Sequence, residues 1–289
     1  MADTLSKYHP VVSFIFIAGA ILLGALIQHP AFVIAGALFS AAHHLMIFGV
    51  KSLKKLPLMI LAPIALALAN PFFNRDGEHI LFRIFGKPYT LEALTYGLCL
   101  AGILFTVLVW FDCSRVLLTN DKLIALLGNL IPSLSLLLVM VLGLIPRLIN
   151  KTKQISHARR SIGKGHTGSK KERLKDGVTL VSALTSWALE CSIVTADSMR
   201  ARGYGSAKRN CFSIYKMSGQ DYIVLCTMFI TAALTFTAIM LDQTSAAFTP
   251  SMSFSPLSWG FAVYCIYLFI PLALHSKEAF LWHFYRSKA

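Results

Sequence analysis

The sequence predicts an all-α, polytopic membrane protein with about six transmembrane helices and a helical unit on the cytoplasmic face between the fourth and the fifth. Three observations predict it. Of 289 residues, 56% are hydrophobic and 14% are charged, whereas soluble domains carry about 25% charged residues. Apolar runs of spanning or near-spanning length recur along the whole chain. Positive charge is concentrated in one internal block, residues 147–175, with ten Lys or Arg and a single acid, Glu172.

The apolar runs fall at about 11–28, 30–48, 56–73, 93–112, 123–145, 178–196, 222–241 and 258–275. A bilayer crossing takes about 20 apolar residues, so there are eight candidates. Orientation follows the Lys and Arg bias of short loops. Lys51, Lys54 and Lys55 place the second connection inside, and with it the N-terminus. The third run then exits, and residues 74–92 lie outside with mixed charge. The fourth run returns to the cytoplasm near residues 112–122.

The fifth run cannot continue the alternation. If 123–145 crossed, the basic block after it would be outside. Lys and Arg cost about 2.5–3.5 kcal/mol each at the centre of a membrane helix, and loops this basic resist translocation. The run is therefore expected to begin and end on the cytoplasmic side, and Asn129, Pro132, Ser133 and Ser135 suit a bent or interfacial helix.

The sixth run, 178–196, lies between two further basic segments. Its apolar residues Val181, Leu184, Trp187, Ala188, Cys191 and Val194 step by three and four, while Ser182, Ser186, Glu190 and Asp197 take the other face. That is the pattern of an amphipathic helix lying on the membrane face. The alternative is a hairpin of two ordinary spans with a basic outer loop.

The last two runs pair normally around the nearly uncharged segment 242–257, and the basic tail (Lys277, Arg286, Lys288) lies inside. The expected organisation is a four-span membrane domain over 1–122, a cytoplasmic-face unit over 123–216, and two spans with a short tail over 217–289. Both termini are cytoplasmic. Residues 164–171 are the one loop-like stretch, joining the two cytoplasmic helices. Val11–Gln28 is long for a signal-peptide core, so a cleaved leader is not expected.

Charge and composition narrow the function. Lys and Arg outnumber Asp and Glu by 27 to 13. In a polytopic chain this reflects inner loops facing anionic lipid, so the bilayer and not nucleic acid is the expected partner. The six cysteines are scattered with no C-x-x-C pair, against a disulfide framework or a zinc site. The adjacent His43 and His44 point about 100° apart on a helix and make a poor metal pair; a satisfied polar pair in the bundle is expected. Residues 163–170 (GKGHTGSK) only approach a phosphate-binding loop and lack the preceding strand. No catalytic residue, bound cofactor or metal is expected on this chain.

Two arginine-bearing stretches remain, 156–163 (SHARRSIG) and 199–205 (MRARGYG). A basic helix is expected from Pro146 to Ser161, with Arg147, Asn150, Lys151, Gln154, His157, Ala158 and Ser161 along one stripe. Small residues flank the arginines in both stretches, so a partner can come close. A guanidinium offers five planar donors and is always charged, which suits a carboxylate- or carbonyl-lined groove. Gly203, Tyr204 and Gly205 read as a helix stop.

Ala158-Arg159-Arg160-Ser161 and Ala201-Arg202-Gly203 resemble the paired arginine motifs of the transmembrane T components of energy-coupling factor (ECF) transporters, the EcfT/CbiQ/BioN-like family. Tyr8-His9-Pro10 before the first span, Leu118-Thr119 after the fourth, Leu144-Ile145-Pro146-Arg147, and Arg209 after the second motif agree with it. The likeness covers nearly the whole length, and the second motif is the more specific.

The resemblance implies a non-catalytic coupling subunit of an ATP-driven vitamin or transition-metal-ion importer in a prokaryotic cell membrane. The two cytoplasmic helices would be coupling helices, docking arginines foremost into two ABC ATPase subunits. ATP and Mg would be bound by those ATPases, and a membrane S component would bind the substrate. Arg202 would anchor one helix and Arg159 or Arg160 the other; the first motif departs from the family in having adjacent arginines and no glycine directly after them. The rival classes are a membrane-embedded lipid-modifying enzyme, which needs an acidic metal-binding cluster or a His/Asp constellation at the membrane face, and a self-contained secondary transporter, which is expected to show internal repeats and broken helices with polar groups at the midplane; neither pattern stands out in the sequence.

Overall fold

A computed structural model describes residues 4–49, 52–74, 79–84, 87–163, 170–206, 215–248 and 252–286. The elements are almost all helical: α1 (Pro10–Leu26), α2 (Pro30–Phe48), α3 (Ser52–Phe73), α4 (Leu91–Leu117), α5 (Asn120–Leu130), α6 (Pro132–Ser161), α7 (Lys170–Ala201), α8 (Gly219–Met240) and α9 (Trp259–Arg286). Two small antiparallel ribbons interrupt them, β1 (Ile80–Ile84) with β2 (Lys87–Thr90), and β3 (Ala246–Ala247) with β4 (Ser253–Phe254). Both lie in segments expected to be outer connections, where turn chemistry and not hydrophobic period decides the backbone.

Among the described residues, seven helices are long and apolar enough to cross a membrane, and Pro10–Leu26 is a shorter apolar helix. The chain is a helical, multi-pass membrane protein.

Two compact units form, Met1–Leu123 with Tyr215–Ala289, and Ile124–Ile214. The first contains α1 to α4, α8 and α9. Its centre is an aromatic plug: Phe16 of α1 meets Trp110 of α4 edge-on at 5.2 Å and stacks on Tyr267 of α9 at 5.4 Å. Tyr267 donates its hydroxyl to the Phe16 carbonyl at 2.9 Å, satisfying a polar group that would be costly in an apolar interior.

Close helix approach depends on missing side chains. A Cβ at Gly97 of α4 would stand 2.8 Å from the Ala67 carbonyl oxygen of α3, and one at Gly36 of α2 would stand 2.9 Å from the Tyr264 hydroxyl of α9. Small residues at helix contacts are the usual means of packing in a membrane, where dispersion contacts replace the hydrophobic drive.

The helix starts of this unit are capped by side chains. His9 and His29 each precede a proline at the first helical position, and each accepts an N–H from the residue two further on through Nδ1, at 3.3 Å in both cases. Proline fits there because its missing N–H would have no intrahelical acceptor. Ser218 and Asp221 form a reciprocal capping box on α8.

The second unit holds the end of α5, with α6 and α7. The apolar run 123–145 is not one helix: it breaks at Ile131, and Pro132 opens α6. The basic helix does not begin at Pro146 but is the continuation of α6, which carries Pro146 inside it. Pro132 lacks the N–H that would continue α5, whereas the missing bond at Pro146 is tolerated within a 30-residue helix.

Candidate functional site

The second unit brings the arginine motifs into a defined geometry. α6 and α7 pack on each other, and two contacts set their direction. Arg159 reaches Asp176, and Lys151 Nζ lies 5.7 Å from the centre of the Trp187 ring. Moving back along α6 means moving forward along α7, so the pair is an antiparallel hairpin.

The half-buried positions of α6 include Leu144, Leu148, Lys151, Thr152, Ile155 and Arg159, and those of α7 include Asp176, Leu180, Leu184, Trp187, Ala188 and Cys191. Steps of three and four place each set on one face. The expected amphipathic stripe of α7 is therefore met at Leu184, Trp187, Ala188 and Cys191, while Val181 and Val194 are more than 60% exposed and Leu180 takes the inner position. On α6, the expected polar stripe (Arg147, Asn150, Gln154, His157, Ala158, Ser161) is exposed, apart from Lys151, which turns toward Trp187. Glu190 and Asp197 are exposed on α7.

Both helices end on glycine in the left-handed region. Gly163 has φ +73° and Gly203 φ +78°, a conformation in which a Cβ would be strained. At α7 the Gly203 N–H bonds the Arg200 carbonyl at 2.9 Å and the Tyr204 N–H bonds the Met199 carbonyl at 3.0 Å. These are the two bonds of a Schellman stop, and they make Arg202 the last residue before the turn. At α6 the Gly163 N–H bonds the Arg160 carbonyl at 3.0 Å. Arginines in the last turn also sit well against the negative end of the helix dipole.

The two motifs lie at opposite ends of α7. Asp176, which Arg159 touches, precedes Arg202 by about 26 residues, or roughly 39 Å along a helix rising 1.5 Å per residue. Arg160 and Arg202 are exposed, as are Ala158, Ser161, Ala201 and Gly203. Arg159 is not: it donates Nη1 to the Asp176 carbonyl at 3.2 Å and Nη2 to the Asp176 carboxylate. Arg209 and residues 164–169 lie outside the described residues.

The first unit holds a second polar constellation that sequence reasoning did not assemble. His44 of α2 is fully buried; its Nδ1 lies 2.6 Å from Ser52 Oγ of α3 and its Nε2 lies 3.0 Å from Asp112 Oδ2 of α4. Lys55 Nζ is 3.4 Å from the same oxygen, and Arg115 Nη1 is 3.6 Å from Oδ1. The residue types are those of a serine hydrolase triad, but Ser52 is fully buried and cannot meet a substrate there. The set ties three helix ends together. Its sequence signal was an acid, Asp112, close to the end of an apolar run, where ionisable groups call for a partner. His43, its neighbour, is buried against the Trp110 ring at 5.3 Å.

Among the described residues, no group of three or more His, Cys, Asp or Glu side chains is placed to hold a metal ion, and Cys99, Cys113, Cys191, Cys226 and Cys265 are free thiols. No protein-family model matches the chain, and no curated protein matches it.

Proposed function

We propose that this protein is the transmembrane T component of an ECF-type importer, coupling two ABC ATPase subunits to a membrane S component that binds a vitamin or a transition-metal ion. The observation that carries the reading is the pair of exposed, glycine-stopped, arginine-bearing helix ends separated by roughly 39 Å along one helix. That spacing suits two separate grooves on a paired motor better than one contact on a single small domain.

In this reading the six helices of the first unit cross the membrane, the shorter α1 among them, while α6 and α7, which are also long and apolar enough to span, do not. α6 and α7 lie at the cytoplasmic face as coupling helices, both termini are cytoplasmic, and the location is a prokaryotic cell membrane. The ten basic residues of 147–175 support that side, because carrying them outward is costly. The chain itself is non-catalytic. ATP and Mg reside on the ATPase subunits, and closure of that pair moves the two helix ends relative to each other. The apolar faces of the coupling helices pass the movement to the S component.

The test is Arg202→Glu. Co-purification of ATPase subunits should be lost, while expression and membrane insertion remain at the level of the unmodified chain. Undiminished recovery of those subunits would refute the docking role.

A further inference from the structure

We infer that the two adjacent arginines of α6 divide their tasks, Arg159 positioning the helix end by holding Asp176 of α7 and Arg160 meeting the partner. This rests on the docking reading above and resolves which residue of the first motif makes the contact.

The geometry separates the two side chains. Arg159 closes the inward stripe that runs through Leu148, Lys151, Thr152 and Ile155, and Arg160 is turned about 100° from it, on the exposed side with Lys153 and His157. The Arg159 guanidinium spends two donors on one residue, the carbonyl and the carboxylate of Asp176. Their side chains are 18% and 28% exposed, so this pair is shielded more than a surface ion pair. A guanidinium already matched to a carboxylate brings little net charge to an acidic groove, and would have to give up that pair to enter one. Arg160 has no such cost. Its free fork suits a protein groove lined by carboxylates or carbonyl oxygens.

Arg159 also fixes where Arg160 points. The contact to Asp176 lies within one turn of the Gly163 stop, so it holds the last turn of α6 against the second turn of α7. Without it the described contacts of the hairpin lie further back, at Ile155, Thr152 and the Lys151–Trp187 pair, and Arg160 samples more orientations.

The experiment uses the full chain in detergent micelles and the ATPase pair recovered with the unmodified chain, added back at known concentration. Arg160→Glu should weaken binding by on the order of tenfold or more without moving the thermal midpoint. Arg159→Asp alone should lower both the midpoint and the binding, and Arg159→Asp with Asp176→Arg should restore both. Restoration of the midpoint without restoration of binding would mean that the partner reads Arg159 directly, and would overturn the inference. So would unchanged binding by Arg160→Glu when Arg202→Glu has lost it. If Arg202→Glu and Arg160→Glu both bind as the unmodified chain does, the docking reading itself fails and takes this inference with it.

Discussion

His44 joins Ser52 and Asp112 across three helices, with its two ring nitrogens 2.6 Å and 3.0 Å from their oxygens. The ring also lies 4.4 Å from the centre of Phe48, over which Lys55 sits at 4.3 Å. The end of α2, the start of α3 and the end of α4 are thus held by one imidazole. His44→Ala leaves a buried hydroxyl and a nearly buried carboxylate short of a partner and should cost about 1–3 kcal/mol. Thermal unfolding of the full chain in detergent checks it; an unchanged midpoint would show that the three helix ends hold without the ring.

Gly97 lets α4 lie against the backbone of α3, with the Ala67 carbonyl where a Cβ would be. A carbonyl oxygen cannot rotate away, so Gly97→Ala must push the helices apart, at about 1–3 kcal/mol. Gly143 of α6 has nothing within 4 Å of the same position. Gly143→Ala should therefore be neutral or stabilising by about 0.5–1 kcal/mol, the helix preference of alanine over glycine. Equal effects at the two sites would contradict this packing.

Asp221 serves two helix starts. Its Oδ2 accepts the Ser218 N–H at 2.7 Å within the capping box, and its Oδ1 accepts the His9 N–H at 3.2 Å at the entrance to α1. Asp221→Ala removes both and should cost about 1–2 kcal/mol. Ser218→Ala removes only the cap and should cost less. Hydrogen exchange at the first turn of α8 distinguishes them from a general loss of stability.

The side of the membrane occupied by the basic hairpin is testable with single cysteines at exposed positions. Ser161→Cys and Ser206→Cys should react with an impermeant maleimide only in inverted vesicles, and Ser245→Cys only in intact cells. Ser161 carries the decision. Were α6 an ordinary span after α4, its C-terminal end would emerge outside and Ser161→Cys would label in intact cells.

Much of this molecule is legible from local sums along the chain. Hydropathy over about 20 residues locates the long apolar helices, and Gly203 before Tyr204 and Gly205 marks a stop because only glycine enters the left-handed region freely. Each of these quantities belongs to a short segment and needs no neighbour. What they leave open is where one helix lies on another. The sequence stripe places Val181 on the packed face of α7, where Leu180 stands instead. Asp176 does not announce itself as the acceptor of Arg159, because that pairing depends on the register of two antiparallel helices. Asp112 is likewise far along the chain from His44 and Ser52, and the three meet only when α2, α3 and α4 are packed. Charge and apolarity add up locally, whereas a hydrogen bond needs two atoms within about 3 Å, and only the packed helices bring such atoms together.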